Sequence, residues 1–208
     1  MIKSLLHIDD KSLKGIQQFF QPFLLMSFDE IKELLGYCEI RHFAKKEMIL
    51  EKGMTDDYLN IVLSGLVRKY IRVKHGEETM QLATEGHVFT SEISFLERKP
   101  SGICFQALEP TTVVSIQHDK MNEALEQFSK GEILGRMILT RMYVKKGERI
   151  YLGASNTPKE RFLKYISKNP HMLQRVPQKY LASYLHIKPE TFSRMKLLVK
   201  QGGIQNQL

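Results

Sequence analysis

The segment from Gln178 to Leu197, QKYLASYLHIKPETFSRMKL, limits the possible folds more than any other part of the chain. Its apolar residues recur at the spacing of two short helices joined by a tight turn. They are Leu181, Ala182, Leu185, Ile187, Phe192 and Met195. Pro189 suits the start of the second helix, because an amide in the first turn needs no partner. The pattern predicts a helix-turn-helix, whose second helix enters the major groove of DNA.

His186 occupies the turn of this motif, at a position that often needs a positive φ and is usually glycine. A non-glycine residue there costs about 1 kcal/mol, and histidine tolerates it better than a β-branched residue does. Pairs of amphipathic helices also occur in many α-helical domains that do not bind DNA. The motif alone therefore leaves both interpretations open.

The charge of the chain favours the DNA-binding interpretation. Residues 1–155 hold 21 basic and 21 acidic residues, whereas residues 156–208 hold 10 basic and 2 acidic ones. A polyanionic partner explains this segregation, because each neutralised phosphate releases condensed counterions. A solvated basic surface and an acidic protein partner remain as alternatives.

Composition excludes several other classes of protein. No apolar run approaches the roughly 20 residues of a membrane span, and the start MIKSLLHIDDK is too short in apolar residues for a signal peptide. The two cysteines, Cys38 and Cys104, form no metal-spaced cluster, and the seven histidines stand at no ligand spacing. We therefore expect a cytoplasmic, non-enzymatic protein that contacts no membrane and holds no metal or cofactor.

Helical and β-type patterns alternate along the chain. Residues 1 to about 36 are predicted to be helical, with Ser27 as an N-cap and Glu30 completing a capping box. Short β-branched and aromatic runs then alternate with glycine-containing turns, which indicates an antiparallel barrel or jelly roll. The predicted strands are Met48–Glu51, Tyr58–Leu63, Leu66–Val73, Thr79–Thr84, Gly102–Ala107 and Thr112–Ile116.

A long helix is predicted after this β region, at about residues 131–152, and it carries more than one apolar stripe. The second stripe contacts either the same helix of another copy or a second domain. A break follows at residues 153–156, and Thr157, Pro158 and Glu160 then form a strong helix start. We therefore predict a domain over residues 1–152 and a helix-turn-helix domain over residues 153–208, in an α+β fold.

This order of elements resembles the cyclic-AMP receptor and fumarate-nitrate regulator family of bacterial transcription factors. Glu190–Arg194, ETFSR, is similar to the recognition helix of that family, and Ile61–Val67 to its strand-turn-strand. Phe89–Leu96 falls where the phosphate-binding cassette lies. Glu148-Arg149, Pro158–Phe162, and Leu181–Leu185 followed by Lys188–Arg194 resemble the branch found widely in Bacteroidetes.

The resemblance implies a sensor pocket at Glu92, Ile93, Ser94, Pro100 and Ser101. In family members that bind cyclic nucleotides, a Glu binds the ribose hydroxyl and an Arg pairs with the cyclic phosphate. Glu92 matches that Glu, but Pro100 replaces the Arg, which removes a contact worth about 1.5–3 kcal/mol. We therefore expect no tight binding of cyclic AMP; Glu92 either contributes to another effector site or is a plain loop carboxylate.

The resemblance also implies a homodimer that reads a near-palindromic DNA site through two recognition helices. Arg194 is the candidate for a bidentate contact to guanine, and Glu190 either accepts from cytosine or holds Arg194 in place. Ser193, Lys188, Lys179 and Lys196 are the candidates for phosphate contacts. The short tail after Lys196 leaves no room for the β-wing of the family. RNA polymerase and a small-molecule effector are further candidate partners.

Two other functions are compatible with this sequence. One is a small-molecule sensor whose C-terminal module contacts a protein rather than DNA. The other is an enzyme built on the β-roll, which needs clustered metal ligands on adjacent strands. Its only local candidate, His75-Gly76-Glu77-Glu78, is more typical of a hairpin turn.

Overall fold

The computed structural model describes residues 14, 16–17, 20–21 and 24–200. Helix α1 spans Phe28–Leu35, and its capping box is present as predicted. The amide of Glu30 donates to Oγ of Ser27 at 3.2 Å, and the amide of Ser27 donates to the Glu30 carboxylate at 2.8 Å. Residues 24–26, within the predicted N-terminal helical region, are not helical, and most of that region before residue 24, together with the tail after Lys200, lies outside the described residues.

Eight strands follow in two four-stranded antiparallel sheets, with the orders β1-β8-β3-β6 and β2-β7-β4-β5. They are β1 (Cys38–Phe43), β2 (Met48–Leu50), β3 (Tyr58–Ser64), β4 (Val67–Val73), β5 (Gly76–Ala83), β6 (Val88–Phe89), β7 (Ile103–Ala107) and β8 (Thr111–Gln117). The predicted jelly roll is confirmed. Val62, Val67, Phe89, Phe105 and Val113 pack together between the sheets.

The turn between β3 and β4 shows why Gly65 is needed. Its φ is 101°, and a Cβ there would lie 2.5 Å from Oγ1 of Thr111 and 2.6 Å from the carbonyl oxygen of Pro110. Any side chain would collide with that neighbouring turn, so β3 and β4 can follow each other closely only through a glycine.

Apart from shifts of one residue at several strand ends, the structure differs from the predicted strands in three places. Strands β1 and β6 were not predicted, because β1 mixes charged and apolar residues and β6 has only two residues. Strand β5 begins at Gly76 rather than Thr79, since Val73 pairs with Gly76 across a two-residue turn. The segment His75–Glu78 therefore belongs to the β-hairpin of β4 and β5, which agrees with the hairpin-turn interpretation of this segment.

Two helices flank the roll and a third leads away from it. They are α2 (Glu92–Glu97), α3 (His118–Gln127) and α4 (Gly131–Ser155). Helix α4 extends three residues beyond the predicted end at residue 152. The hydroxyl of Ser155 donates to the carbonyl of Tyr151 at 2.7 Å, and the side-chain amide of Asn156 donates to the carbonyl of Leu152 at 3.0 Å. These side-chain bonds to carbonyls of the last turn carry the helix past Gly153.

The C-terminal part consists of α5 (Pro158–Lys168), α6 (Met172–Arg175), α7 (Gln178–Tyr184) and α8 (Pro189–Lys200). Helix α5 starts with the predicted capping box of Thr157 and Glu160, and Pro158 lies in its first turn. The bonds from Thr157 lower the pKa of Glu160.

One hydrophobic cluster joins these helices to the β-roll. It includes Leu66, Leu82 and Leu108 of the roll together with buried residues of α5–α8, among them Phe162 and Leu181. Because both parts bury apolar surface in the same cluster, the roll fixes the position of the C-terminal helices. No helix within the described residues is long and apolar enough to cross a membrane.

Candidate functional site

Helices α7 and α8 meet through the apolar residues that the sequence pattern predicted. Leu181, Ala182, Leu185, Ile187 and Phe192 are all buried. The ring of Phe192 is fully buried and contacts Phe162 of α5 edge-to-face, with 5.2 Å between the ring centroids. This contact holds the inner face of α8 against α5, and Met195 is partly buried beside it.

The turn between α7 and α8 has the predicted left-handed residue. His186 has a φ of 52°, and its amide donates to the carbonyl of Ser183 at 3.0 Å. The amide of Ile187 donates to the carbonyl of Ala182 at 2.9 Å. These two bonds form a Schellman motif, which ends α7 and sets the direction of the chain into α8.

Arg161 of α5 fixes this turn from the other side. Its guanidinium donates to the carbonyls of Leu185 and His186, each at 2.8 Å, and to that of Asn156 at 2.6 Å. One charged fork therefore satisfies three carbonyl groups at the junction of α4, α5 and the turn. From the sequence, Arg161 was noted only as one of the basic residues in excess. Its partners are backbone carbonyl groups, most of them distant in sequence, so no local pattern could reveal this role.

The outer face of α8 carries most of the predicted DNA-contacting residues. Lys188, Glu190, Ser193 and Arg194 are exposed, Lys179 of α7 is exposed too, and Lys196 is partly buried. The guanidinium of Arg194 lies 3.5 Å from Oγ1 of Thr191, and no ion pair joins it to Glu190 among the described residues. The arginine thus extends outward from the helix rather than into the core.

Hydrogen bonds attach α7 to strand β5 of the roll. The amide of Thr79 donates to Oγ of Ser183 at 2.9 Å, and Arg149 of α4 donates to the carbonyl of Thr79 at 3.1 Å. The guanidinium of Arg149 also lies 4.8 Å from the ring centroid of Tyr184. Strand β5, helix α4 and helix α7 therefore meet at one point.

Arg68 of β4 lies at the centre of this contact and is only 1% exposed. It donates to Oγ1 of Thr79 at 2.9 Å and pairs with Glu77 at 2.6 Å. Its guanidinium is stacked between Tyr70, at 4.2 Å, and Tyr180 of α7, at 3.7 Å. A planar guanidinium can stack and donate at once, so one side chain links the roll to α7.

Arg175 makes a second link between the two parts. It pairs with Glu85 at 2.9 Å and with Glu109, and it donates to the carbonyl of Gly65 at 3.0 Å. Burial alone would raise the pKa of Glu85, but the hydrogen bonds from Arg175 and from backbone amides lower it overall. The end of α6 is thus held by charge at two turns of the roll.

The predicted sensor pocket is filled with internal hydrogen bonds. Ser91 and Ser101 share a hydroxyl contact at 2.8 Å, and Ser94 accepts from the amide of Asp56 at 2.9 Å. Asp56 in turn accepts from the amide of Ser91 at 2.7 Å. Burial raises the pKa of Asp56, although the hydrogen bonds that its carboxylate accepts, first among them the one from the Ser91 amide, oppose the shift. Asp56 was not predicted, since an acidic residue in a loop carries no distinguishing sequence signal.

The other pocket residues are less enclosed. Ile93 and Pro100 are exposed, and Glu92 forms the first residue of α2. Arg98 pairs with Asp57 and Lys99 with Glu97, so neither cation extends into the roll.

Lys69 of β4 places a positive charge at the cassette that was not predicted from the sequence. Its ammonium lies 2.6 Å from the Glu92 carboxylate and 2.6 Å from the carbonyl of Thr90. Burial lowers the pKa of Lys69, and the Glu92 carboxylate opposes that shift. A lysine in a strand looks like a surface residue in sequence, so this role was missed.

Both cysteines are free thiols, as predicted from the lack of metal spacing. Loss of solvation raises the pKa of the Cys38 thiol to about 12, which keeps it protonated. Cys104 is buried in β7.

Comparison with known proteins agrees with this architecture. Residues 40–128 match the cyclic nucleotide-binding domain family, and this range includes every strand except the start of β1. No curated protein sequence is similar enough to count as a relative.

Several solved structures share the fold at low sequence identity. FixK2 from Bradyrhizobium japonicum has a TM-score of 0.64 and 21% identity, covering 79% of this chain and 86% of that one. The regulator CLP from Xanthomonas campestris has a TM-score of 0.65 and 13% identity, covering 86% and 94%. The catabolite activator protein of Thermus thermophilus has a TM-score of 0.54 and 20% identity, covering 88% and 87%.

The family match and the solved structures thus agree on a β-roll similar to the cyclic nucleotide-binding domain over residues 40–128. The solved structures confirm the fold that the resemblance to the cyclic-AMP receptor and fumarate-nitrate regulators implies, because that fold extends over most of the chain. The Bacteroidetes-type branch stays a prediction.

Proposed function

We propose that the chain is a sequence-specific DNA-binding transcriptional regulator that acts as a homodimer. One observation carries the proposal: the inner face of α8 is buried against α5, while Glu190, Ser193 and Arg194 on its outer face, and Lys188 just before it, are exposed. A helix-turn-helix needs this division, because its second helix must be held rigidly and still reach base edges.

The related structures support a regulatory role. CLP is described as a c-di-GMP responsive global regulator, and the Thermus thermophilus protein as a catabolite activator protein. We therefore assign DNA and RNA polymerase as partners, the cytoplasm as the location, and no enzymatic activity. Glu92 pairs with Lys69 and no arginine occupies the Pro100 position, so we expect no tight binding of cyclic AMP.

Helix α4 supplies the proposed dimer contact. Tyr143 is 79% exposed, Ile150 66% and Tyr151 70%, and Val144 is half-exposed. Tyr143, Gly147, Ile150 and Ala154 follow the alternating spacing of four and three residues that a two-helix seam requires. Covering these side chains with the same helix of a second copy removes them from water. In such a two-fold dimer the two α8 helices must lie about 34 Å apart to reach successive major grooves.

The dimer contact can be tested with Ile150→Glu in the full-length protein. The charge would be buried in the seam, so we expect the variant to sediment as a monomer where the wild type sediments as a dimer. Met54→Glu is the matched control, because Met54 is an exposed apolar residue of the roll, away from α4. A monomeric wild type, or a dimeric Ile150→Glu variant, contradicts the proposed seam.

DNA binding can be tested on sites selected from random duplexes. We expect Arg194→Ala to lose about 1–3 kcal/mol and to relax the preference at one base per half-site, as judged by gel shift. Lys179→Ala should weaken all sites evenly and reduce the salt slope by about one unit. Lys52→Ala, an exposed lysine of the roll, is the control without effect.

The outcome of the salt titration separates DNA from a protein partner. A steep fall of log affinity with log salt indicates phosphate contacts, because bound cations are released from the backbone. If no duplex is selected, or if Arg194→Ala weakens all sequences equally, then α8 does not read bases and the protein-partner alternative gains support.

A further inference from the structure

Strand β4 points two neighbouring cations to opposite faces of its sheet. Successive side chains of a strand alternate between faces, so Arg68 contacts α7 while Lys69 enters the roll. The Lys69 side chain is only 5% exposed, and its ammonium lies 5.9 Å from the ring centroid of Phe105. An ammonium group in such a place must have its own partners inside the protein.

The partners of Lys69 belong to the cassette on the opposite side of the roll. Thr90 lies just before α2 and Glu92 is its first residue, and each gives an oxygen at 2.6 Å. Lys69 therefore crosses the interior and ties β4 to the start of α2. Glu92 is the residue that the family resemblance assigns to the ribose of a cyclic nucleotide.

The remaining polar groups of the pocket are satisfied without a ligand. Ser91 contacts Ser101, Thr90 donates to Asp56 at 3.0 Å, and Ser94 accepts from the amide of Asp56. Within the described part of the chain, no fully buried side-chain nitrogen or oxygen lacks a hydrogen-bond partner. A ligand that takes the Glu92 oxygen bonded to Lys69 must therefore leave the buried ammonium without its charged partner, with only the Thr90 carbonyl of this pair of contacts remaining, which is costly.

We propose that Lys69 is the built-in occupant of the effector pocket, where its butylammonium side chain replaces a small molecule and holds the cassette closed. The inference rests on the sensor pocket of the proposed function and is independent of DNA binding. The cassette is then held in place without an effector, and cyclic nucleotides are excluded by a residue of the chain itself.

The proposal is tested by amide hydrogen exchange of the cassette, residues 90–97, in full-length Lys69→Ala. We expect exchange to be about ten- to a hundredfold faster than in the wild type, because a charge-assisted bond and its packing are lost. Added n-butylammonium, which has the size and charge of the deleted side chain, should slow the exchange again. 1-Butanol has the same chain without the charge and should not.

Lys69→Met gives a second measurement if Lys69→Ala does not fold, as judged by circular dichroism. Methionine fills the volume without pairing with Glu92, so cassette exchange should still rise. The proposal is overturned if either folded variant exchanges like the wild type, or if n-butylammonium and 1-butanol act equally. It is also overturned if millimolar cyclic AMP protects the wild-type cassette. None of these measurements involves DNA, so the Arg194→Ala experiment can fail without changing the outcome of the Lys69 test.

Discussion

Arg68→Ala is expected to lower the free energy of unfolding by about 3–5 kcal/mol, because it removes a large buried side chain and two stacked aromatic contacts. Arg68 is 1% exposed and links Glu77 and Thr79 of the roll to Tyr180 of α7. The loss should appear as a shift of the urea midpoint and as faster amide exchange in α7.

Two further substitutions separate the causes of this loss. Arg68→Met keeps most of the volume, so its remaining loss measures the contacts of the guanidinium, and its difference from Arg68→Ala measures the packing that the arginine stem provides. Arg72→Ala removes an exposed cation from the same strand and should stay within about 0.5 kcal/mol of the wild type. If Arg68→Ala is as stable as Arg72→Ala, then Arg68 does not hold the C-terminal helices on the roll.

Phe192→Ala should destabilise the C-terminal helices by about 3–5 kcal/mol, since it leaves a cavity beside Phe162. The ring is fully buried, and its centroid lies 5.2 Å from that of Phe162. We expect amides of α5–α8 to lose protection from exchange while amides of β3 and β8 keep theirs.

Ser193→Ala is the matched control for that experiment, because Ser193 is exposed on the same helix. Its exchange pattern should equal that of the wild type. Equal loss of protection in the roll and in α5–α8 of Phe192→Ala would show one cooperative unit. That result would contradict the predicted domain boundary at residues 153–156.

Local patterns allowed much of the fold to be predicted. The capping boxes of Ser27 and Thr157, the left-handed His186 and the buried faces of α7 and α8 all depend on residues close in sequence. Strand β1 was missed because its alternation is irregular. The end of α4 was missed because Ser155 and Asn156 extend the helix through side-chain bonds that no periodicity reports.

The charges were the least predictable feature. Lys69 and Arg68 look like surface residues in sequence, and their partners lie between 9 and 23 residues away in Glu77, Thr90 and Glu92. Among the basic residues after position 156, Arg161 and Arg175 are engaged within the fold. The basic excess therefore overstates the charge that is free to meet a phosphate, although Lys188, Arg194 and Lys179 stay exposed.

Because side chains alternate between the two faces of β4, two adjacent residues make contacts on opposite sides of its sheet. Arg68 reaches α7 on one side and Lys69 reaches the cassette on the other. A slip of a single residue in the pairing of β4 would turn each of these side chains to the wrong face. The alignment of β4 with β5 and β7 thus sets both the position of α7 on the roll and the contact between Lys69 and the cassette, and neither can be shifted alone.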